Sequence, residues 1–286
     1  MKSIHQTDEK IEAAPNQLST YHKRHIFRIK RLGQAVKMKL LNKTAFITGA
    51  STGIGLSIAK AFVSEGCNVA ISFPTFDPPQ PEDIEYFSTY SDQIFWVPCD
   101  VTNERSVSQA VNKTIGHFGK LNILVNNAGI SIKSPLIDSS ITDFDKIISV
   151  NLRGSYLVGK HGISAILQSD GIGTVINITS ELSYLGRENY SAYCASKAAI
   201  HGLTRSWARE FAPNIRVNSI APGPIATRMC DPETMNKHEF KLETSNPMKR
   251  FGNTEEIATT AVFLASDDTS FYTGQCLSPN GGAVFY

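Results

Sequence analysis

The sequence predicts an α/β fold, a doubly wound parallel sheet with helices on both faces, preceded by an N-terminal extension. From Lys43 onwards, short apolar segments alternate with amphipathic segments. The apolar segments are predicted to be buried strands. Amphipathic segments such as "GLSIAKAFVSEG" and "SVSQAVNKTIGHFG" have the length of a crossover helix, and this alternation implies parallel strands. No repeat or linker divides residues 43–286, so a single domain over 38–286 is expected.

Six segments are predicted to be strands, and five of them end in polar or glycine residues. In chain order they are "TAFITG" (44–49), "NVAISF" (68–73), "IFWVPCD" (94–100), "LNILVNNAG" (121–129), "TVINITS" (174–180) and "IRVNSIAPG" (215–223). Doubly wound sheets bind ligands beyond the carboxyl ends of their strands. The functional residues are therefore expected at these segment ends.

The composition limits the class of protein. A chain of 286 residues with 41% hydrophobic and 19% charged residues is typical of a globular protein and not of a disordered or fibrous one. No apolar run approaches the roughly 18 residues that cross a bilayer, and no secretion signal is recognisable, so a cytoplasmic protein is expected. Five scattered cysteines without CxxC spacing and seven histidines without HExxH spacing predict reduced thiols and no metal site.

The basic character of the chain lies in its first 37 residues. Residues 1–37 hold eight basic and three acidic residues, a net charge of +5, whereas the remainder holds 20 basic and 23 acidic residues, a net charge of −3. Such an extension is expected to be disordered or weakly helical. The alternative is an arm that contacts a partner, with Ile29, Leu32 and Val36 on one helical stripe. Neither a nucleic-acid nor a membrane partner is expected.

A glycine-rich loop, "TGASTGIG" (48–55), follows the first predicted strand and opens the first helix. At such a place the backbone N–H groups and the positive end of the helix dipole bind a dinucleotide pyrophosphate. Gly49, Gly53 and Gly55 let the backbone approach the ligand closely. The alternative is an ordinary tight turn, but the position after the first strand favours a cofactor site. The spacing is GxxxGxG and not GxGxxG.

Seven motifs together resemble one family. In chain order they are "TGASTGIG", "CDVT", "NNAG" (126–129), "NLRG", "INITS", "YCASK" and "APGPIAT" (221–227). Over residues 40 to 286 the chain resembles the short-chain dehydrogenase/reductase family in its compact single-domain form, and it is most similar to the 3-oxoacyl reductases and the sugar and polyol dehydrogenases. The resemblance implies a Rossmann-like fold, hydride transfer between NAD(P)(H) and a secondary alcohol or ketone as small-molecule substrate, and a homotetramer.

The resemblance also implies four catalytic residues. Tyr193 is the acid and base, and Lys197, one helical turn along, lowers the pKa of the phenol and holds the nicotinamide ribose. Ser180 polarises the substrate oxygen and binds substrate together with Tyr193. Asn151 distorts a helix and supports a proton path. Ser180 is preferred to its neighbour Thr179 because of its spacing to Tyr193 in the family.

Alternatives remain for each of these residues. Tyr193 and Lys197 are also compatible with a solvated surface pair, and Asn151 with a helix surface or a local cap. Ser180 as a nucleophile lacks a GxSxG elbow and a suitably placed histidine.

Further positions are implied to bind the cofactor. Asp100 and Val101 are expected at the adenine ring, although an aspartate after a strand is often a helix N-cap. The "NNAG" stretch is expected under the adenosine ribose, with a simple turn as the alternative. The loop with Pro222, Gly223, Ile225 and Thr227 is expected to flank the nicotinamide carboxamide and is called the nicotinamide loop. The complete set is Gly49, Ser51, Thr52, Gly53, Ile54, Gly55, Asp100, Val101, Asn127, Ala128, Gly129, Tyr193, Lys197, Pro222, Gly223, Ile225 and Thr227.

The choice between NADP and NAD depends on the end of the second strand. An acid there selects NAD and a basic residue selects NADP, but this chain has Phe73 and Pro74. Thr52 stands where NADP-dependent relatives often have Arg or Lys. The absence of an acid slightly favours NADP, with Ser51, Ser72 and Thr75 as possible hydrogen-bond donors to its additional phosphate. Asp77 is the residue that could instead bind the ribose hydroxyl groups of NAD.

Two segments near the site depart from a simple pattern. Residues 74–92 carry four prolines and are expected to form a surface loop. Residues 227–252 are expected to be a short lid over a small or flexible substrate. Leu182, Tyr184, Leu185 and Met229 are candidate wall residues, with plain packing as the alternative.

Two other functions are compatible with the same motifs. One is a cofactor-binding regulator or scaffold without turnover that uses the basic arm as its partner contact. The other is an epimerase or dehydratase that uses bound cofactor.

Overall fold

Seven parallel strands form the centre of the molecule, in the order β3-β2-β1-β4-β5-β6-β7. The structure, a computed structural model, describes residues 38–285. The prediction for the extension 1–37 lies outside the described residues. The strands are β1 Thr44–Ile47, β2 Asn68–Phe73, β3 Ile94–Pro98, β4 Ile123–Asn126, β5 Gly173–Ile178, β6 Ile215–Ile220 and β7 Cys276–Leu277.

The order of the strands reverses between β1 and β4, which are neighbours in the sheet. In a doubly wound sheet this reversal opens a crevice at the carboxyl ends, where ligands bind. All six predicted strands are present, and five of them end before the polar or glycine residues with which the predicted segments finish. Those residues belong to the loops that face the crevice.

Helices cover both faces of the sheet. They are α1 Gly53–Ser64, α2 Pro81–Ser88, α3 Glu104–Phe118, α4 Ile141–Ile147, α5 Gly154–Gln168, α6 Leu182–Leu185, α7 Ser191–Phe211, α8 Lys237–Glu243 and α9 Thr254–Ala265. One face buries an apolar cluster of α1 and α9, with Phe62 and Ile257 fully covered. The other buries a cluster of α3, α5 and α7, with Ile166 and Trp207 against the sheet. The doubly wound α/β prediction is confirmed.

The segment after β2 differs from the expected surface loop. Residues 81–88 form α2, which begins at Pro81 because a proline at the first helical position lacks only an N–H that the helix does not use. Phe87 is buried and packs edge-on against Trp96, with ring centroids 5.6 Å apart. Residues 74–80 remain a loop without helix or strand.

The helix α7, the longest one within residues 38–285, carries Tyr193 and Lys197. Between residues 38 and 285, no helix is both long and apolar enough to span a bilayer.

Candidate active site

The glycine-rich loop is hydrogen-bonded to the "NNAG" stretch and packs closely against it. The side-chain amide of Asn127 donates to the carbonyl oxygens of Thr48 and Gly49, each at 2.9 Å. A Cβ atom on Gly55 would lie 2.5 Å from the Asn127 Nδ2 atom, and one on Gly49, which has φ +60°, would lie 2.9 Å from the Ala128 Cα atom. Only glycine fits at both positions, so the close approach needs this sequence.

The beginning of α1 is open to an anion. Thr52 makes no side-chain cap, and the first turn of the helix carries no acidic residue. The first N–H groups of a helix have no partner within it, and its dipole favours negative charge. Thr52 and Ile54 are partly exposed, whereas Ser51 is buried. The loop and helix therefore fit the pyrophosphate of a dinucleotide.

The loop after β6 crosses the glycine-rich loop. A Cβ atom on Gly53 would lie 3.5 Å from the Thr227 Cγ2 atom. Gly223 packs so closely on the C-terminal segment that its Cβ would lie 2.6 Å from the Asn280 Cα atom. Pro222 accepts a hydrogen bond from the Glu181 backbone N–H at 3.0 Å, and Ile225 is buried. The predicted nicotinamide loop thus joins the two halves of the crevice.

The predicted adenine contacts lie after β3. The Asp100 Oδ1 atom accepts hydrogen bonds from the Thr102 N–H at 2.9 Å and from its hydroxyl at 2.7 Å. Asn103, and not Asp100, caps α3, because its side chain accepts from the Ser106 N–H at 3.0 Å. Asp100 is exposed and Val101 is buried. The helix-cap alternative for Asp100 is therefore wrong.

Ser180 and Thr179 point to different partners. The Thr179 hydroxyl donates to the Lys197 backbone carbonyl at 3.2 Å, so it faces α7. The Ser180 hydroxyl accepts from the Leu182 N–H at 3.2 Å and lies near enough to the Tyr193 phenol to lower its pKa. The preference for Ser180 over Thr179 thus has a geometric basis.

The Tyr193 phenol does not have the lowered pKa that the sequence predicts. Burial raises its pKa to about 12, and the hydrogen bond from Ser180 offsets only part of this. Lys197 lies on the same side of α7, with its Nζ atom 5.9 Å from the centroid of the Tyr193 ring. In the chain alone the phenol is therefore in its acid form at neutral pH.

Lys197 is buried, and its ammonium group donates to the Ile178 carbonyl at 2.9 Å. Burial lowers the pKa of Lys197 to about 8. A Cβ atom on Gly129 would lie 3.2 Å from the Lys197 Nζ atom and 3.4 Å from the Asn151 Oδ1 atom. Gly129 thus allows the backbone to lie over Lys197 and Asn151. The alternative of a solvated surface pair is wrong for Tyr193 and Lys197.

Asn151 lies in a π-helical turn, Ile148–Arg153, between α4 and α5. It is only 1% exposed, so the helix-surface alternative is wrong. Its side chain exchanges two hydrogen bonds with the Ile130 backbone, accepting at 2.8 Å and donating at 2.9 Å, and also donates to the Ser196 hydroxyl at 3.0 Å. The distorted turn places this amide beside Lys197.

Sequence reasoning missed a histidine behind the site. The His201 Nε2 atom lies 2.7 Å from the Ser183 Oγ atom and 3.2 Å from the Thr179 Oγ1 atom. Ser183 in turn donates to the Ser180 carbonyl, and Tyr184 contacts the His201 Nδ1 atom at 3.3 Å. Burial lowers the pKa of His201 to about 4, so the ring is neutral. Helical spacing gave no signal because these partners lie 17 to 22 residues away.

Sequence reasoning also missed an acidic group beside Ser180. Glu181 is buried, and near it Arg187 pairs with Glu243 of α8. Of the candidate wall residues, Leu182 is buried, Tyr184 contacts His201, and Leu185 and Met229 are exposed. The position of Glu181 directly after Ser180 was the only signal in the sequence that could have identified this acid.

Known proteins resemble the chain over most of its length. A family model described as Enoyl-(Acyl carrier protein) reductase matches residues 49–284. The 3-oxoacyl-[acyl-carrier-protein] reductase FabG of Staphylococcus epidermidis is 35% identical over 243 residues, which cover 85% of this chain and 99% of the relative. The FabG of Thermotoga maritima is 34% identical over 251 residues, covering 86% of this chain and 100% of the relative.

Solved structures of other proteins have a similar fold. A dehydrogenase/reductase from Sinorhizobium meliloti has a TM-score of 0.81 at 31% identity, covering 87% of this chain and 98% of its own. The aldohexose dehydrogenase of Thermoplasma acidophilum has a TM-score of 0.74 at 33% identity, covering 85% and 94%.

This chain belongs to the short-chain dehydrogenase/reductase family. It is an NAD(P)-dependent oxidoreductase that interconverts alcohols and ketones. The alternative of a non-catalytic regulator finds no support among these relatives.

Proposed function

We propose that Tyr193, Ser180, Lys197 and Asn151 carry out the reaction, with Tyr193 as the proton donor in ketone reduction. The observation that carries this proposal is the position of Tyr193, which lies one helical turn from the buried Lys197 and has a phenol whose pKa burial raises to about 12. A carbonyl oxygen between the two hydroxyl groups receives a hydrogen bond from Ser180 and a proton from Tyr193.

The nicotinamide cofactor supplies the hydride in reduction and accepts it in oxidation. The Lys197 ammonium holds the nicotinamide ribose and, when charged, stabilises the phenolate that forms on Tyr193. Asn151 keeps Lys197 in reach of a proton path to solvent. The remaining residues of the cofactor set, from Gly49 to Thr227, bind the dinucleotide along the crevice.

Replacing Tyr193 by Phe tests this assignment. We expect kcat to fall at least ~100-fold in Tyr193→Phe, because the ring remains and only the proton donor is lost. Cofactor affinity, measured by fluorescence titration, should change little. Tyr190→Phe, a partly buried tyrosine at the start of the same helix, is the matched control and should keep its activity. A fully active Tyr193→Phe enzyme would refute the role of the phenol.

We propose that the enzyme prefers NADP to NAD. Phe73 and Pro74 put no acid at the end of β2, and the carboxylate of Asp77 is engaged by Arg228, with N–O distances of 3.1 and 2.5 Å. A neutralised Asp77 neither repels the additional phosphate nor accepts the ribose hydroxyls as well as a free carboxylate does. Thr75 is exposed and can donate to the phosphate, whereas Ser51 and Ser72 are buried.

Removing Arg228 should weaken this preference. In Arg228→Ala the freed carboxylate of Asp77 repels the phosphate, and we expect the ratio of NADPH to NADH affinity to fall about 5- to 10-fold at low salt. Titration with both cofactors measures it. The double variant Arg228→Ala with Asp77→Asn should return toward the wild-type ratio. A wild-type preference for NADH would overturn the proposal.

We also propose a homotetramer built on the helices that carry Asn151 and Tyr193. Ile141, Phe144 and Tyr156, on α4 and α5 beside the turn that holds Asn151, have exposed side chains, which supports contact between copies. Sedimentation velocity of the full chain measures the state, and a monomer would refute it.

The physiological substrate lies between two classes. The relatives include 3-oxoacyl reductases and an aldohexose dehydrogenase, so both an acyl thioester and a sugar or polyol are compatible with the family. Residues beyond the shared catalytic set decide between them.

A further inference from the structure

The residue after the polarising serine is a buried acid that takes no part in the steps above. Glu181 follows Ser180 directly and is only 3% exposed. Within residues 38–285, no hydrogen-bond donor reaches its buried Oε2 atom. A buried carboxylate oxygen without a donor costs free energy, so a partner outside the chain would account for it.

The backbone of Glu181 lies between Ser180 and the loop that begins at Pro222. The Glu181 backbone N–H donates to the carbonyl of Pro222, where the nicotinamide loop begins, and its own carbonyl accepts from the Tyr184 N–H in the first turn of α6. The charge of Glu181 contributes to the raised pKa values of both Tyr193 and Cys230. It is therefore close to the reacting phenol and to the segment after β6.

The charges around Glu181 leave it without a full partner. Arg187, on the loop before α7, forms an ion pair with Glu243 at the end of α8. Glu243 engages this guanidinium group, and Arg187 acts on Glu181 only through its charge. Burial raises the pKa of Glu181 to about 7, and Glu243 raises it while Arg187 lowers it. A ligand that brings hydrogen-bond donors would complete this cluster.

The two candidate substrate classes differ in what they offer to a carboxylate. A 3-oxoacyl thioester presents carbonyl oxygens and methylene groups near the reacting carbon, and none of these is an N–H or O–H donor. A sugar or polyol carries hydroxyl groups on the carbons next to the one that reacts. Such hydroxyl groups donate to a carboxylate in hydrogen bonds that are stronger than neutral ones.

We propose that Glu181 is a specificity-determining residue that accepts hydrogen bonds from substrate hydroxyl groups, so that the substrate is a sugar or polyol and not a 3-oxoacyl thioester. The inference rests on the proposed function, because it takes Ser180 and Tyr193 as the groups that hold the reacting oxygen. The hydroxyl group on the neighbouring carbon then lies toward Glu181.

A two-substrate panel tests the proposal on the full chain. Oxidation of glucose, ribitol and sorbitol is compared with reduction of acetoacetyl-coenzyme A, each with the cofactor that binds. We expect wild type to favour at least one polyhydroxylated substrate. In Glu181→Val, kcat/KM for that substrate should fall about 10- to 100-fold, chiefly through KM, because the hydrogen bonds to substrate are lost. Glu181→Gln, which keeps an acceptor, should lose less.

The controls separate this inference from the proposed function. Glu188→Gln, an exposed acid on the same loop, should change neither activity. Cofactor titration and Tyr193→Phe report on the proposed function independently of the substrate. A wild type that prefers acetoacetyl-coenzyme A, or a Glu181→Val variant that loses both activities equally, would overturn the inference. If wild type turns over neither class, calorimetry of each sugar with the cofactor complex decides, and no binding overturns it.

Discussion

At the scale of single residues, burial sets the protonation of the site. It raises the pKa of the Tyr193 phenol to about 12 and lowers the pKa of Lys197 to about 8. The phenol therefore starts as a proton donor, which suits ketone reduction. Alcohol oxidation needs the phenolate, and its formation depends on the positive charge of Lys197, which is lost as the pH rises through about 8.

The buried acid gives a stability prediction. The pKa of Glu181 is about 7 in the folded chain and 4.5 in its ordinary state. Because the folded state holds the proton more tightly, the stability it contributes is full below pH 4.5 and is lost as the pH rises to about 7. Relative to Glu181→Gln, wild type should lose about 2 to 3 kcal/mol between pH 5 and pH 8.

Urea unfolding at both pH values and equal protein concentration measures this difference, and Glu188→Gln is the exposed control. Equal differences at the two pH values would mean that folding does not raise the pKa of Glu181.

Sequence motifs were sufficient to find the residues that the fold brings together. Tyr193 and Lys197 share a helix face, and Ser180 follows a strand whose end any doubly wound sheet directs to the crevice. Glu181 escaped prediction because its significance comes from its burial and from Arg187 and Glu243, which lie far along the chain. The raised pKa of Tyr193 was not predicted for the same reason, because the i,i+4 spacing of Tyr193 and Lys197 does not show how deeply the phenol is buried.

At the scale of elements, α7 is tied to the end of β5 through His201. Its ring contacts Thr179 and Ser183, and Ser183 holds the Ser180 carbonyl. His201 is thus a positioning residue for Ser180. We expect His201→Phe to lower kcat about 10-fold with unchanged cofactor affinity, because a small displacement of a reacting group slows the chemistry.

Steady-state kinetics and cofactor titration measure these two effects. His201→Gln, which retains hydrogen-bonding groups, should recover part of the lost kcat, and His117→Phe on α3 is the exposed control. A rise in KM alone would contradict the positioning role.

Helices and strands with a clear pattern of apolar residues could be predicted from the sequence, whereas short elements could not. The six central strands follow from continuous apolar runs, whereas β7, Cys276–Leu277, is two residues long and has no pattern of its own. The helix α2 was not predicted because residues 74–92 contain four prolines, one of which, Pro81, occupies the first helical position. The π-helical turn at Ile148–Arg153 depends on the contacts of Asn151 with Ile130 and Ser196, which no local pattern reports.

At the scale of the whole molecule, the site is assembled from both halves of the sheet. The β1 and β4 ends supply the glycine-rich loop and the "NNAG" stretch, and the β5 and β6 ends supply Ser180 and the nicotinamide loop. The sequence therefore predicts the class of fold. It does not predict the contacts between the two halves of the sheet. Those contacts join residues that lie up to 229 positions apart.

One of these contacts is the ion pair between Asp77, after β2, and Arg228, after β6. It bridges the two sides of the crevice above the glycine-rich loop, and the Arg228 side chain is largely exposed. Dissolved salt weakens an exposed ion pair. We therefore expect the rate at which spent dinucleotide leaves and a fresh one enters to depend on the ionic strength of the solution, a kinetic dependence set by one surface contact.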